Sequence, residues 1–370
     1  MEKFNSVYVT LAVIQTVIWI LAIRLADPYE HESLGLIGLM AIWGSTGAAL
    51  VAWDWDNRAK NVLPGDVARV FGLAITTPIV EEGAKGAALV IVFVAAYVLH
   101  RKFGFRPLAG AAHGLVFGAA VGMGFAFTED VQYGLRSGFP ALIGRRDFFG
   151  YGALHHALFT AAFGVGLGLA FSTTRKVMRV LWPVFGLLTA VGLHALNNGF
   201  ERFMLVDRFG LDNVSEWLKK PNGAPQVFDD AQSHAARIAS GVDIVVFVAA
   251  GIGLWLWLAR QRRVITQELT TEAASGLVSR RDIELTPRYW RRQRRRAQLI
   301  RRGELQRARA EEFLHVQLAR LAFAARRSKR SPRAAPANLA GAREAVRRAK
   351  AEVRFARLVE TRPTRSPVSD

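Results

Sequence analysis

Apolar and polar positions alternate along this chain in long blocks, with no strand-like alternation. Uninterrupted apolar stretches near 6–26, 33–53, 80–99, 108–129, 151–171, 180–200 and 242–259 are each about as long as a helix needs to cross a hydrocarbon core of roughly 30 Å. The pattern predicts an all-α polytopic membrane protein with about seven transmembrane helices. Residues 66–79 join the third stretch without a break, and a continuous helix from Asp66 to Leu99 would be roughly 50 Å long, too long for a simple crossing. The segment 66–79 is therefore expected to be interfacial, re-entrant or an eighth short element, with Pro78 as the place for a kink. In the fourth stretch Gly110, Gly114, Gly118 and Gly122 recur every four residues, a small-residue ridge that lets another helix approach closely.

Charge divides the chain. From Arg260 onward there are 29 Lys+Arg against 11 Asp+Glu, while the whole chain carries a net +19, so nearly all the excess lies in the last part. Residues 1–260 form the expected membrane domain, with its core over about 66–200, and 261–370 an Arg-rich tail. Basic clusters at Arg101/Lys102/Arg106, Arg175/Lys176/Arg179 and Arg260/Arg262/Arg263 fall on one side of seven alternating spans, which predicts a cytoplasmic tail. Arg136, Arg145 and Arg146 in an outer loop, and an acidic 27–32 turn, run against that rule. The 201–241 segment reads as an outer loop. The tail predicts basic amphipathic helices at 311–327 and 342–358, with Phe313, Val316, Leu321 and Phe323 on one side of the first. A polybasic segment beside a membrane span is attracted to anionic lipid, which is favoured over nucleic acid as its partner. Pro332, Pro336, Pro363 and Pro367 predict a flexible end. With no cysteine, disulfides and thiolate chemistry are excluded.

Four polar constellations interrupt the apolar body: Glu81, Glu82 and Lys85; Glu129 and Asp130; His155, His156 and Thr160; and His194, Asn197 and Asn198. An ionised group at mid-bilayer costs about 2.5–3.5 kcal/mol on insertion scales, so such groups persist when they pair or line a polar site. All four sit at similar depth, at the outer ends of their spans, and are expected to meet. Lys85, at i+4 from Glu81 and i+3 from Glu82, neutralises one carboxylate well, and the other is left to exchange a proton with water. His194 and Asn198 share a face, as do His156 and Thr160, and an imidazole and an amide can hold a water or an oxyanion. Plainer readings exist for each: a helix N-terminus favouring Glu81 and Glu82, interfacial acids at Glu129 and Asp130, a C-terminal cap at Asn197 and Asn198 before Gly199. His113 reads as structural.

At these residues the chain resembles the PrsW family of bacterial intramembrane proteases, distant relatives of the CAAX-protease and bacteriocin-processing membrane peptidases. The matching pieces are the Glu-Glu-x-x-Lys run, the Phe-Ala-x-x-Glu run ending at Glu129, the His-Ala-Leu-Phe-Thr run from His156 and the His-Ala-Leu-x-Asn run from His194 to Asn198. Gly86 stands where the CAAX-type pattern has Arg, which favours the PrsW branch. The resemblance implies an intramembrane endopeptidase of the bacterial plasma membrane that cuts membrane-anchored, anti-sigma-factor-like proteins near the extracytoplasmic side. It implies catalysis by Glu81, Glu82, Glu129, His156, His194 and Asn198, supported by Lys85 and Thr160. The mechanism is left open between a glutamate type and a divalent metal such as zinc on His156, His194 and Glu129. An ion- or proton-coupled carrier, or a silent relative that binds membrane helices, are the competing readings.

Overall fold

In the computed structural model every regular element is helical among the described residues, which exclude 1, 26, 30–31, 104–107, 109, 146–153, 220–225, 331–335 and 361–370. Helices run as α1 (Glu2–Arg24), α2 (Leu34–Trp43), a π turn (Gly44–Ala48), α3 (Ala49–Val62), α4 (Gly65–Val67), a second π turn (Ala68–Gly72), α5 (Leu73–Phe103), α6 (Ala111–Arg145), α7 (His155–Ser172), α8 (Lys176–Phe209), α9 (Leu211–Lys219), α10 (Gln226–Ala273), α11 (Arg280–Leu285), α12 (Tyr289–Arg301), α13 (Leu305–Arg330) and α14 (Pro336–Glu360). The chain forms two compact units: residues 1–27 with 32–250, and residues 28–31 with 251–370.

The first unit is a membrane bundle. Among the described residues, Leu34–Ala59, Gly65–Leu99, Ala111–Gln132, His155–Ser172 and Lys176–Phe209 are long and apolar enough to cross, and Val9–Arg24 is a shorter apolar helix. The seventh predicted stretch falls within α10. Large apolar side chains such as Ile18, Leu39, Leu50, Ile91 and Leu188 are exposed, as the lipid-facing surface of such a bundle requires.

At the centre lies α6, against which α1, α2 and α7 pack. Its glycine ridge meets α7 in antiparallel register, four residues per step. A methyl group at Gly114 would overlap the Gly164 carbonyl, one at Gly118 the Thr160 carbonyl, and one at Gly122 the His156 carbonyl. Gly110 N–H also donates to the Gly168 carbonyl (2.9 Å). Without side chains the two backbones touch, and the ridge sets the height of His156 and Thr160. On the opposite side Gly44 allows the same approach between the first π turn and α6, and Gly124 between α6 and Ala41 of α2.

Several boundaries differ from expectation. Residues 66–79 are helical and continuous with α5, which runs through Pro78. A π turn at Ala68–Gly72 lies within this continuous run, where a break was expected. Glu81 and Glu82 therefore lie in a helix interior, not at an N-terminus. Glu129 and Asp130 lie within α6, which continues to Arg145. Asn197 and Asn198 cap nothing, since α8 continues to Phe209 and ends at Gly210, whose φ of 83° is left-handed. The predicted 201–241 loop is largely helical in α8, α9 and α10. Of the outer-loop arginines, Arg146 and the side chains of Arg136 and Arg145 lie outside the described residues.

The second unit contains the helices expected at 311–327 and 342–358, as α13 and α14, and packs them around a core. Tyr29, Ile265, Leu269, Val278, Leu314, Leu318, Leu321, Val346 and Val353 form a shared apolar core. Leu314, Leu318 and Leu321 point into it and Phe323 packs against it, whereas Phe313 is exposed, so only part of the predicted apolar side of α13 faces the core. Glu268 pairs with Lys329 (2.6 Å), and Arg343 holds Glu272 through two bonds of 2.9 Å. A reciprocal cap joins Ser279 and Asp282 at the start of α11. Pro332, Pro363 and Pro367 lie outside the described residues.

Candidate active site

Helix α5 gains no help from propensity in placing two acids and a lysine inside an apolar bundle; what holds them is mutual neutralisation. Lys85 Nζ lies 3.0 Å from Glu81 Oε2 and 2.8 Å from Glu82 Oε1, one and just under one turn back along the same face. The same ammonium lies 3.0 Å from His156 Nδ1 on α7 and 3.7 Å from the centre of the Phe125 ring on α6. Lys85 is fully buried and is the hub of the cluster.

Each imidazole is oriented by what its two nitrogens meet. Because the ammonium donates to His156 Nδ1, the ring's own proton sits on Nε2 and is donated to Glu129 Oε2 at 2.6 Å. His194 Nδ1 donates to Glu82 Oε1 (3.1 Å), which leaves the lone pair on Nε2, 3.9 Å from Glu81 Oε2. Thr160 donates to Glu82 Oε2 (2.9 Å). His194 stacks on Phe159, and the two imidazoles stand edge to face with centroids 5.1 Å apart.

The two carboxylates are thereby made different. Glu82 is fully buried and accepts from Lys85, His194 and Thr160. Glu81 accepts from Lys85 and keeps 7% exposure, and Glu129 is 24% exposed at its side chain. The open side of the cluster is the side of Glu81 and Glu129.

The structure thus joins Glu81, Glu82, Lys85, Glu129, His156, Thr160 and His194 from four helices. Asn198 is half-buried one turn beyond His194, and its amide pairs with Asn197 (3.5 Å). His155 stacks on Phe159, and Asp130 is buried. His113 pairs with Glu32 (2.9 Å). Sixteen residues of α6, about 24 Å, separate it from Glu129. Phe125 and Phe159 lie inside the matched runs but were given no role there, and Trp43, whose indole N–H donates to the Ala84 carbonyl (3.0 Å) between Glu82 and Lys85, had no sequence signal. In an apolar span an aromatic beside a site reads like any other core residue.

As metal donors, Glu81, Glu82, His156 and His194 offer atoms that all lie within 4.8 Å of one another. Two carboxylates and two imidazoles fit a zinc-type ion in kind and closeness. The set differs from the expected one, because Glu129 is spent on the outer nitrogen of His156 and acts behind it, a common arrangement for a ligating histidine.

Residues 32–210 match the family described as PrsW family intramembrane metalloprotease. Comparison with curated proteins and with solved structures finds no match.

Proposed function

We propose that the protein is an endopeptidase that cuts membrane-anchored proteins with a water held between Glu81 and His194, a reading supported by the match of residues 32–210 to the PrsW family. The carrying observation is the convergence of charged and polar side chains from α5, α6, α7 and α8 at one buried point of an apolar bundle.

Glu81 Oε2 and His194 Nε2 are both acceptors, 3.9 Å apart, a gap that one water spans by donating to each. Glu81, with the fewer internal bonds and the greater exposure, is the general base. It removes a proton from that water as the oxygen attacks the scissile carbonyl, and returns the proton to the leaving amine. Glu82 is the positioning carboxylate, holding the Lys85 ammonium and the His194 tautomer. Lys85 spends its three N–H bonds on Glu81, Glu82 and His156, so its desolvated charge stabilises the developing oxyanion through space and needs no reorganisation. Asn198 enters its pair with Asn197 as the acceptor, through Oδ1, and its side-chain N–H is the group that would give the oxyanion support expected of it. A divalent ion held by Glu81, Glu82, His156 and His194 would add a Lewis acid and an activated water.

Cleavage near the extracytoplasmic side of a bacterial plasma membrane, with the tail cytoplasmic and anti-sigma-factor-like proteins as substrates, remains part of this reading and rests on the charge pattern and the family. A carrier needs a polar file across the membrane. Here the cluster and the His113–Glu32 pair are separated along α6 by buried Val116, Phe117, Ala120, Val121 and Met123.

Co-expression with a library of tagged single-span membrane proteins tests the reading. Fragments should appear with the wild type and vanish with Glu81→Gln and His194→Ala inserted to equal levels. Unchanged cleavage in both variants would sink it.

A further inference from the structure

Where α10 ends its apolar stretch, the second unit contains a hollow of about 480 Å³ lined by Arg262, Arg263, Thr266, Gln267, Pro287 and Arg288. The first four lie at i, i+1, i+4 and i+5, one face of α10, and the turn before α12 brings Arg288 back beside them. Among the described residues no carboxylate lines it. Three guanidiniums, a hydroxyl and an amide make a wall that suits a multiply bonding oxyanion, above all a phosphate.

Its position narrows the ligand further. On α10 the exposed apolar residues Ile252, Trp255 and Leu256 end one to two turns before Arg262. At 1.5 Å per residue, Arg262 lies about 9 Å past Leu256, close to the depth of a headgroup layer beyond the hydrocarbon. Trp290, two residues after Arg288, is 64% exposed although it is among the largest apolar side chains, and tryptophan favours this same interfacial layer. A free phosphate would need the arginines but would leave Trp255 and Trp290 without a role.

We propose that this hollow is a binding site for the phosphate headgroup of an anionic phospholipid in the leaflet that α10 leaves, with Arg263 and Arg288 gripping the phosphate. Arg262 contributes while its Nε donates to the Tyr29 hydroxyl (3.3 Å), which ties the site to the core of the second unit. The basic tail is then more than a diffuse counter-charge: one built site carries much of its lipid affinity. The site stands apart from the peptidase reading and survives if that reading fails.

The test uses the full-length protein in neutral detergent, with lipid retention read by native mass spectrometry against phosphatidylglycerol and phosphatidylcholine of matched chains. The double variant Arg263→Gln/Arg288→Gln leaves the Arg262–Tyr29 bond in place. The charge-matched control Arg309→Gln/Arg354→Gln removes two exposed arginines away from the hollow. Phosphatidylglycerol binding should weaken roughly 30-fold in the first and stay within about 2-fold of wild type in the second. Equal weakening in both, or none in either, overturns the proposal. Displacement of the lipid by inorganic phosphate at equal concentration would also overturn it, assigning the hollow to a free anion.

Discussion

Glu81 and Glu82 are adjacent and chemically alike, yet their surroundings give them separate work, and that difference can be measured. Glu82 has three internal donors and no exposure, so Glu82→Gln is expected to lower both cleavage and thermal stability, because it weakens the hold on Lys85 and His194. Removing one partner of a buried charged network costs about 3–5 kcal/mol. Glu81→Gln is expected to abolish cleavage while the melting midpoint moves far less. Equal midpoints for both variants would contradict the division of roles. Lys85 offers a second test. Its ammonium touches three of the four candidate metal donors, so ammonium and a divalent ion compete for the same atoms. Lys85→Met is expected to be less stable than wild type and to gain a larger zinc-induced rise in melting midpoint, read by thermal denaturation with and without zinc.

The chief determinant at the scale of elements is the seam between α6 and α7. It has no hydrophobic driving force in lipid and depends on backbone contact. A methyl at Gly122 overlaps the carbonyl of His156 itself, so Gly122→Ala is expected to cost about 1–3 kcal/mol and to cut cleavage by shifting His156 away from Lys85 and Glu129. Gly83 is the matched control. It lies next to Glu82, but a methyl there meets nothing within 4 Å, so Gly83→Ala should retain stability and cleavage. The first π turn serves the site as well. It presents Trp43 to Ala84, and the Ser45 carbonyl within it is taken up by the Thr128 hydroxyl (2.6 Å), one residue before Glu129.

At the scale of the whole molecule, the basic second unit has its own titratable weak point. His315 is buried against Thr286 (3.0 Å), and burial, with the nearby Arg292 charge, pushes its pKa down to about 4. A depressed histidine is neutral in the folded state and takes up its proton more readily when unfolded. Stability is therefore whole above pH ~6.5 and falls as the pH drops from there to about 4, by up to about 3 kcal/mol. Hydrogen exchange should show α13 and α14 losing protection over that window, and His315→Gln should flatten the dependence. Asp282 and Glu311 also act on His315 and favour its charged form, so they reduce the slope without reversing it.

Helical class, membrane residence and the identity of the polar set were legible because the bilayer imposes them: about 20 apolar residues per crossing, and a cost for each charge that makes exceptions conspicuous. The four constellations could be paired in advance from their common depth. What the linear pattern could not show was where helices end, since in lipid an apolar or polar residue changes nothing about backbone satisfaction. Thus α5 passes Pro78, α6 passes Glu129 and α8 passes Asn198. Nor could it separate Glu81 from Glu82, or put Glu129 behind His156 instead of among the metal donors, because those distinctions are set by which side chains the α6–α7 seam brings within 3 Å. The tail shows the same division. Its charge was evident in the sequence, but its core arises from apolar positions spread over α10, α13, α14 and the Tyr29 turn, and only long-range packing brings those together.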